Sequence, residues 1–249
     1  MKPIFIIVII FIILLLIISN NTLHNDQLDN MFYNVDDIEP KLNSIKHIDE
    51  IVKLETTNVI NTEWTDWPEK YLYANKGAWK IFPFYAFNMW VMDNCEKCPN
   101  ITKFLKSIPG LKIALLSKLS AGMKLTPHKG WGNHSNGVIR CHYGIRIPDS
   151  TLLSTRIPDF TMGCYISVKD DVEIKKFHLE SEWLCFDDSK EHYAENPSNE
   201  DRIVLILDIE RPLHIKRGNS DVGDSKELIE IVNYFKQKNI NYSNANIPI

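Results

Sequence analysis

Apolar and polar positions divide the chain into regimes of different rhythm. Ile4 to Ile18 is unbroken aliphatic and Phe, with Lys2 before it and Ser19-Asn20-Asn21 after it. Fifteen residues fall short of the roughly 20 that span a bilayer comfortably, and they also suit the core of a secretory leader. No small-x-small cleavage site follows, so residues 1–20 are expected to form an uncleaved signal anchor, a single membrane-spanning segment. Residues 21–60 are polar with little periodicity. They read as a stalk or linker holding one short helix near Ile45 to Leu54. From Trp64 the composition changes abruptly, with Trp64, Trp67, Trp79, Phe82, Phe84, Tyr85, Phe87 and Trp90 close together. Lys97 to Leu105 predicts a short surface helix, closed by Pro109-Gly110.

Strand-like sequence begins at Leu111. Lys112 to Leu119 is one candidate strand. Val138 to Ile147 alternates: Ile139, Cys141, Tyr143, Ile145 and Ile147 point one way, and Arg140, His142, Gly144 and Arg146 the other. Cys164 to Val168, Trp183 to Phe186 and Ile203 to Ile209 continue the series, separated by Gly, Pro, Asp and Asn at the spacing of a sandwich or barrel. Residues 61–212 thus form one mainly β domain. In the extension 213–249, Leu228, Ile231, Val232 and Phe235 give Ser225 to Lys238 one apolar stripe, a helix that packs outside the barrel.

Composition narrows the function. With 44% apolar residues the 249-residue chain buries a real core, and a net charge of −4 with pI near 6.1 lacks the basic footprint of a nucleic-acid partner. Lys2 before the apolar run, against Asp26 and Asp29 after it, places the body in a lumen (the endoplasmic reticulum among them) or outside the cell. Sequons at Asn20, Asn100, Asn133 and Asn241 agree with a glycoprotein. Five cysteines are an odd set for such a place. Cys95 and Cys98 lack a second pair for a zinc site, and a local disulfide between them fits the lumenal placement.

The chemistry-bearing residues cluster between His128 and Arg202. An iron oxygenase needs a ligand set that leaves positions open for a bidentate 2-oxo acid and O₂, usually two histidines and a carboxylate. It also needs a fixed cation for the far carboxylate of the co-substrate, which arginine holds bidentately. His128 and His192 fit the first need and Arg202 the second. Spacing alone does not select them from eight histidines, and the position two residues after His128 is Gly130, not an acid.

Pro127-His128-Lys129-Gly130, Arg140-Cys141-His142-Tyr143-Gly144, Phe186-Asp187-Asp188-Ser189, His192, Arg202 and Asp208 before Arg211-Pro212 come in order. Over Ser117 to about Pro212 the chain resembles the aspartyl/asparaginyl β-hydroxylase family of Fe(II)- and 2-oxoglutarate-dependent dioxygenases. The resemblance implies a double-stranded β-helix, a jelly-roll or cupin-like barrel with flanking helices. It implies that His128 and His192 hold iron without an acidic third ligand, and that Asp188 accepts from the water completing the coordination. Arg202 and Ser117 would hold the distal carboxylate of 2-oxoglutarate, and Arg140 and His142 its metal-chelating end. Trp79 corresponds to a co-substrate-pocket tryptophan. The implied substrate is an Asp or Asn side chain in a protein, such as an EGF-like domain. The same chemistry on a lipid acyl chain or a free amino acid is the alternative. An inactive, membrane-tethered binding module is the alternative from another class.

Overall fold

The computed structural model describes residues 29–73, 75–148 and 163–245. Twelve strands are defined among them: β1 (Phe32–Tyr33), β2 (Thr65–Asp66), β3 (Trp79–Ala86), β4 (Met89–Trp90), β5 (Leu111–Leu119), β6 (Met123–Lys124), β7 (Val138–Arg146), β8 (Tyr165–Lys169), β9 (Glu173–Phe177), β10 (Trp183–Phe186), β11 (Glu191–Asn196) and β12 (Arg202–Glu210). Eight make one sheet in the order β1-β10-β7-β12-β5-β3-β2, with β4 beside β3, and four make a second in the order β6-β11-β8-β9. Every strand pair is antiparallel. The two sheets face each other as a double-stranded β-helix, the jelly-roll barrel that the resemblance implies.

The alternation of β7 has a direct structural meaning. Ile139, Cys141, Tyr143 and Ile145 lie in a core between the large sheet and its helices, with Phe82, Phe84, Leu116, Leu205 and Leu207. The other face of the same sheet lines the barrel interior, where Ile81, Leu115, Leu119, Val204 and Ile206 meet Ile166, Val168 and Ala194 of the small sheet. Both faces of the large sheet are therefore covered, so polar residues there must be partnered or meet a ligand.

The segment expected as a stalk is, from Asp29 onward, part of the fold. Phe32 and Tyr33 pair with Phe186 and Cys185, a 3₁₀ segment covers Pro40–Ile48, and a helix covers Asp49–Val59. Leu42, Ile45, Val52 and Val59 are buried against the large sheet. Most of its charged residues face solvent, Glu55 being buried, while widely spaced aliphatics face inward, which reads as polarity when only average composition is weighed. The helix expected at Lys97 to Leu105 is two, Met92–Lys97 and Pro99–Lys106, and Ile101, Phe104 and Leu105 are buried. The carboxy-terminal helix spans Lys226–Ala245 and inserts Phe235 against Ala86 and Val91.

No disulfide joins Cys95 and Cys98. All five cysteines are buried thiols outside any disulfide, and burial pushes that of Cys98 up to about 12. The spacing that suggested a local bridge places both sulfurs in the core, at Cys95 before the helix break and Cys98 on it. The apolar run Ile4 to Ile18 lies outside the described residues. Among those, no helix is long and apolar enough to cross a membrane.

Candidate active site

His128 and His192 come from different chain segments and meet through backbone pairing. The His128 N–H donates to the His192 carbonyl at 3.0 Å, and the His192 N–H returns a bond at 2.8 Å. Their ring centroids are 4.5 Å apart. Each Nδ1 lies 2.8 Å from a backbone carbonyl, that of Thr126 for His128 and that of Lys190 for His192. A carbonyl only accepts, so each Nδ1 carries the proton and each Nε2 keeps a free lone pair. Burial lowers His128 to about 3 and His192 to about 4, and both rings are neutral near pH 7. Two neutral imidazoles held by carbonyls and opening on one pocket have the free lone pairs that metal ligation requires.

A carboxylate reaches the pair from an unexpected direction. A Cβ built on Gly130 would lie 2.0 Å from Asp188 Oδ2. The space that an acidic side chain at position 130 would enter is thus filled by Asp188, from the turn after β10. Asp188 Oδ1 stands 3.4 Å from His192 Nε2. Two acceptors face each other there, an arrangement that a neighbouring cation or bound water relieves. Arg140 holds the carboxylate in place: its Nη1 is 2.5 Å from Asp188 Oδ1, while Nε and Nη2 bond both oxygens of Asp208 at 2.8 Å. Burial would raise Asp208, yet Arg140 and the His134 ring 2.7 Å away hold it far below the usual carboxylate range. Burial wins at Asp188 and raises its carboxyl.

Deeper in the barrel the same pocket is lined by Trp79, Leu125, His142, Ile166, Phe186, Ala194, Arg202 and Ile206. Arg202 is 1% exposed, and its Nε and Nη1 have no hydrogen-bond partner. Burial lowers it to about 10, so it keeps its charge at neutral pH. Ser117, opposite Val204 on the adjoining strand, accepts from Trp79 Nε1 at 3.0 Å, and Trp79 stacks on Trp67 with centroids 4.5 Å apart. His142 turns an unpartnered Nε2 into the pocket, and its Nδ1 lies 3.1 Å from His178 Nε2.

The structure brings His128, His192, Arg140, His142, Arg202 and Trp79 to one pocket, with Ser117 and Asp188 directly behind it. Arg140 differs from expectation in having its guanidinium already engaged by two carboxylates. Sequence reasoning misses His178 and His134. Nothing local marks either, because each acts through a partner more than 30 residues away.

The family model of aspartyl/asparaginyl β-hydroxylase matches residues 46–212, well over half of the chain. The chain belongs to this family. It is 30% identical over 135 residues to the ornithine lipid ester-linked acyl 2-hydroxylase of Rhizobium tropici, covering 54% of this chain and 42% of that protein. It is 29% identical over 147 residues to aspartate beta-hydroxylase domain-containing protein 2 of Xenopus tropicalis, covering 55% and 34%. The chain spans less than half the length of these two curated relatives. Among solved structures, a Trichoplax adhaerens prolyl hydroxylase in complex with a peptide fragment is 12% identical at a TM-score of 0.45, covering 66% of this chain and 79% of that one.

Family membership implies Fe(II) and 2-oxoglutarate, and the residues present fit both. The two Nε2 lone pairs suit a borderline divalent metal. Arg202 is a buried cation without a carboxylate partner among the described residues, which a carboxylate entering the pocket would supply. No group of three or more His, Cys, Asp or Glu able to hold a metal occurs among the described residues.

Proposed function

We propose that this protein is an Fe(II)- and 2-oxoglutarate-dependent hydroxylase, most directly of Asp or Asn side chains in a protein substrate. One observation carries the reading: the unpaired guanidinium of Arg202 is buried in the pocket on which the free Nε2 atoms of His128 and His192 open. An unpaired buried charge is expensive and persists where a ligand completes it. Bound there, Fe(II) and 2-oxoglutarate supply the oxidation: with O₂ the co-substrate becomes succinate and CO₂, and one oxygen atom replaces a substrate C–H by C–OH.

The chain's own residues position and shield. His128 and His192 hold the metal. Arg202, with the hydroxyl of Ser117, holds the distal carboxylate and so fixes how far the 2-oxo acid end reaches toward the histidines. His142 presents a hydrogen bond to the near end. Arg140 orients Asp188, which would serve as a hydrogen-bond acceptor beside the metal that His128 and His192 would hold. Trp79 and Phe186 exclude bulk water from the pocket. The family description supports Asp and Asn as targets, whereas the 30% identical acyl 2-hydroxylase supports a lipid acyl chain as the second reading. Attachment to a membrane through Ile4 to Ile18, with the barrel lumenal or extracellular, accommodates either.

The test uses the full chain in detergent, anaerobically, with Fe(II) and 2-oxoglutarate. The weak visible charge-transfer band of the chelate is expected, and His128→Ala should abolish it. On admitting O₂, succinate release stimulated by Asp- or Asn-bearing peptides supports the protein substrate, and stimulation by acyl lipids alone supports the second reading. Folded protein that yields neither band nor succinate would leave a binding module.

A further inference from the structure

The pocket's polar wall contains a contact that the proposed chemistry does not by itself require. His178 follows β9, and its backbone N–H is anchored to the Cys164 carbonyl at 2.8 Å. Its Nε2 lies 3.1 Å from His142 Nδ1, with the two rings within 9° of parallel. Both rings are buried, at 1% exposure for His178 and 4% for His142. Phe186 meets His142 edge-on with centroids 5.2 Å apart, so the ring has little room to turn. Outward of the pair, His142 Nε2 and His178 Nδ1 both lack partners.

One proton lies between the rings, because burial and the nearby Arg202 keep both neutral. It has two possible homes. If His142 Nδ1 carries it, His142 turns a bare lone pair toward the pocket, repelling a carboxylate, and His178 Nδ1 carries an N–H that has the Cys164 backbone nearby but no well-formed hydrogen bond. If His178 Nε2 carries it, His142 is protonated on Nε2 and offers a neutral donor to the pocket, leaving only an unfilled lone pair on His178. An anion in the pocket satisfies the second arrangement and worsens the first, and a buried donor without a well-formed hydrogen bond is itself costly. The geometry points to His178 as a positioning residue that holds His142 in its Nε2–H tautomer and makes it a neutral hydrogen-bond donor to the bound 2-oxo acid. This rests on the functional reading above, since it names how one residue of that site is set.

Gly144 is what permits the contact. A Cβ there would lie 2.0 Å from the Leu179 carbonyl oxygen, and Ser181 N–H and Gly144 N–H bond across the same gap, to the Gly144 and Glu182 carbonyls. The segment after β9 can therefore lie directly on β7 and deliver His178 to His142.

The test reads the tautomer directly. Imidazole ¹⁵N NMR of the full chain, free of metal and 2-oxoglutarate, should show His142 protonated on Nε2. His178→Phe keeps a flat ring but has no donor; it should erase that preference and weaken 2-oxoglutarate binding, measured calorimetrically under anaerobic Fe(II), on the order of tenfold. His178→Gln retains an N–H donor and should restore both. A ring that only fills space would lower stability in His178→Phe without moving the tautomer. Wild-type His142 protonated on Nδ1, or a His178→Phe chain with unchanged tautomer and affinity, would overturn the assignment. If His178→Phe does not fold, wild type and His178→Gln decide: both must show Nε2–H. A wild-type chain that binds no 2-oxoglutarate would instead remove the functional reading, while the tautomer, read without ligand, stands or falls separately.

Discussion

Arg202 shows how a single side chain can be set against the fold that holds it. Its guanidinium has no carboxylate partner among the described residues, and Nε and Nη1 are unbonded in a pocket otherwise lined largely by apolar and aromatic groups. A methionine there would keep much of the apolar stem and remove the charge. Arg202→Met should therefore raise the stability of the ligand-free chain, by roughly 1–4 kcal/mol if it behaves as other buried charges do, while the 2-oxoglutarate requirement rises strongly. Denaturant melts with and without 2-oxoglutarate check both halves: the variant should be more stable alone and gain little from the ligand. Gly130 and Asp188 make the complementary case, two positions sharing one volume. Gly130→Ala places a methyl 2.0 Å from Asp188 Oδ2 and 2.8 Å from Ser135 Cβ. It should lower metal affinity or turnover by about 10- to 100-fold by displacing the carboxylate. Adding Asp188→Ala removes part of the conflict, so the stability loss of the double variant should be smaller than the two single losses combined. Strict additivity in that cycle would show that the two positions do not compete.

Elements whose rhythm matches their environment are legible in the order of residues alone. β7 alternates because one face meets the helix-covered core and the other the barrel interior, and that rhythm correctly puts Arg140 and His142 on one side. β10 and β12 stand out as apolar runs. β3 and β11 do not. β3 is buried on nearly every residue and broken by Pro83, where its register with β5 shifts. β11 alternates half-buried and buried residues, but its inward members are His192, Ala194 and Asn196, which carry little hydrophobic signal. The widest gap between expectation and fold is the amino-terminal stalk. Within it Leu42, Ile45 and Val52 have no exposure and Val59 has 2%. Glu55 accepts from the N–H groups of Asn100 and Ile101, capping the helix Pro99–Lys106, and Asp49 accepts from Tyr143 and Ser181 hydroxyls. At roughly 1.5–3 kcal/mol per buried aliphatic, those four side chains alone are worth about as much as a typical domain's whole stability. A chain cut to 61–249 should therefore be insoluble or molten, whereas 29–249 should melt cooperatively. Near-ultraviolet circular dichroism and a denaturant titration of the two compare them, and equal stability would make these helices ornamental.

Across the described residues, the fold keeps four histidines neutral: His142, His178 and His192, each at most 4% exposed, and His128 beside them. Burial lowers all four, His128 to about 3, His192 to about 4 and the other two well below the ordinary value of 6.5. Unfolding releases them to that ordinary value. As pH falls through 6.5 the unfolded chain takes up four protons that the folded chain refuses, so stability is fully present above 6.5 and is lost below it. The limiting slope is four protons, or about 5 kcal/mol per pH unit. Asp208 works in the same direction at lower pH: held far down beside Arg140 and His134, it withdraws its contribution only as the unfolded carboxyl protonates, near 3.8 and below. The metal-free protein should thus hold a plateau of stability from about pH 7 upward and collapse over little more than one unit between about 6 and 5. Urea titrations at half-unit intervals measure this slope. Loading the site should steepen the loss, because protons then compete with the metal for His128 and His192 as well. Replacing His178 with glutamine removes one of the four titrating groups, and the slope of that variant should fall toward three protons. A slope unchanged in His178→Gln, or near zero in wild type, would mean that these rings are protonated within the fold and that the barrel interior is wetter than its packing implies.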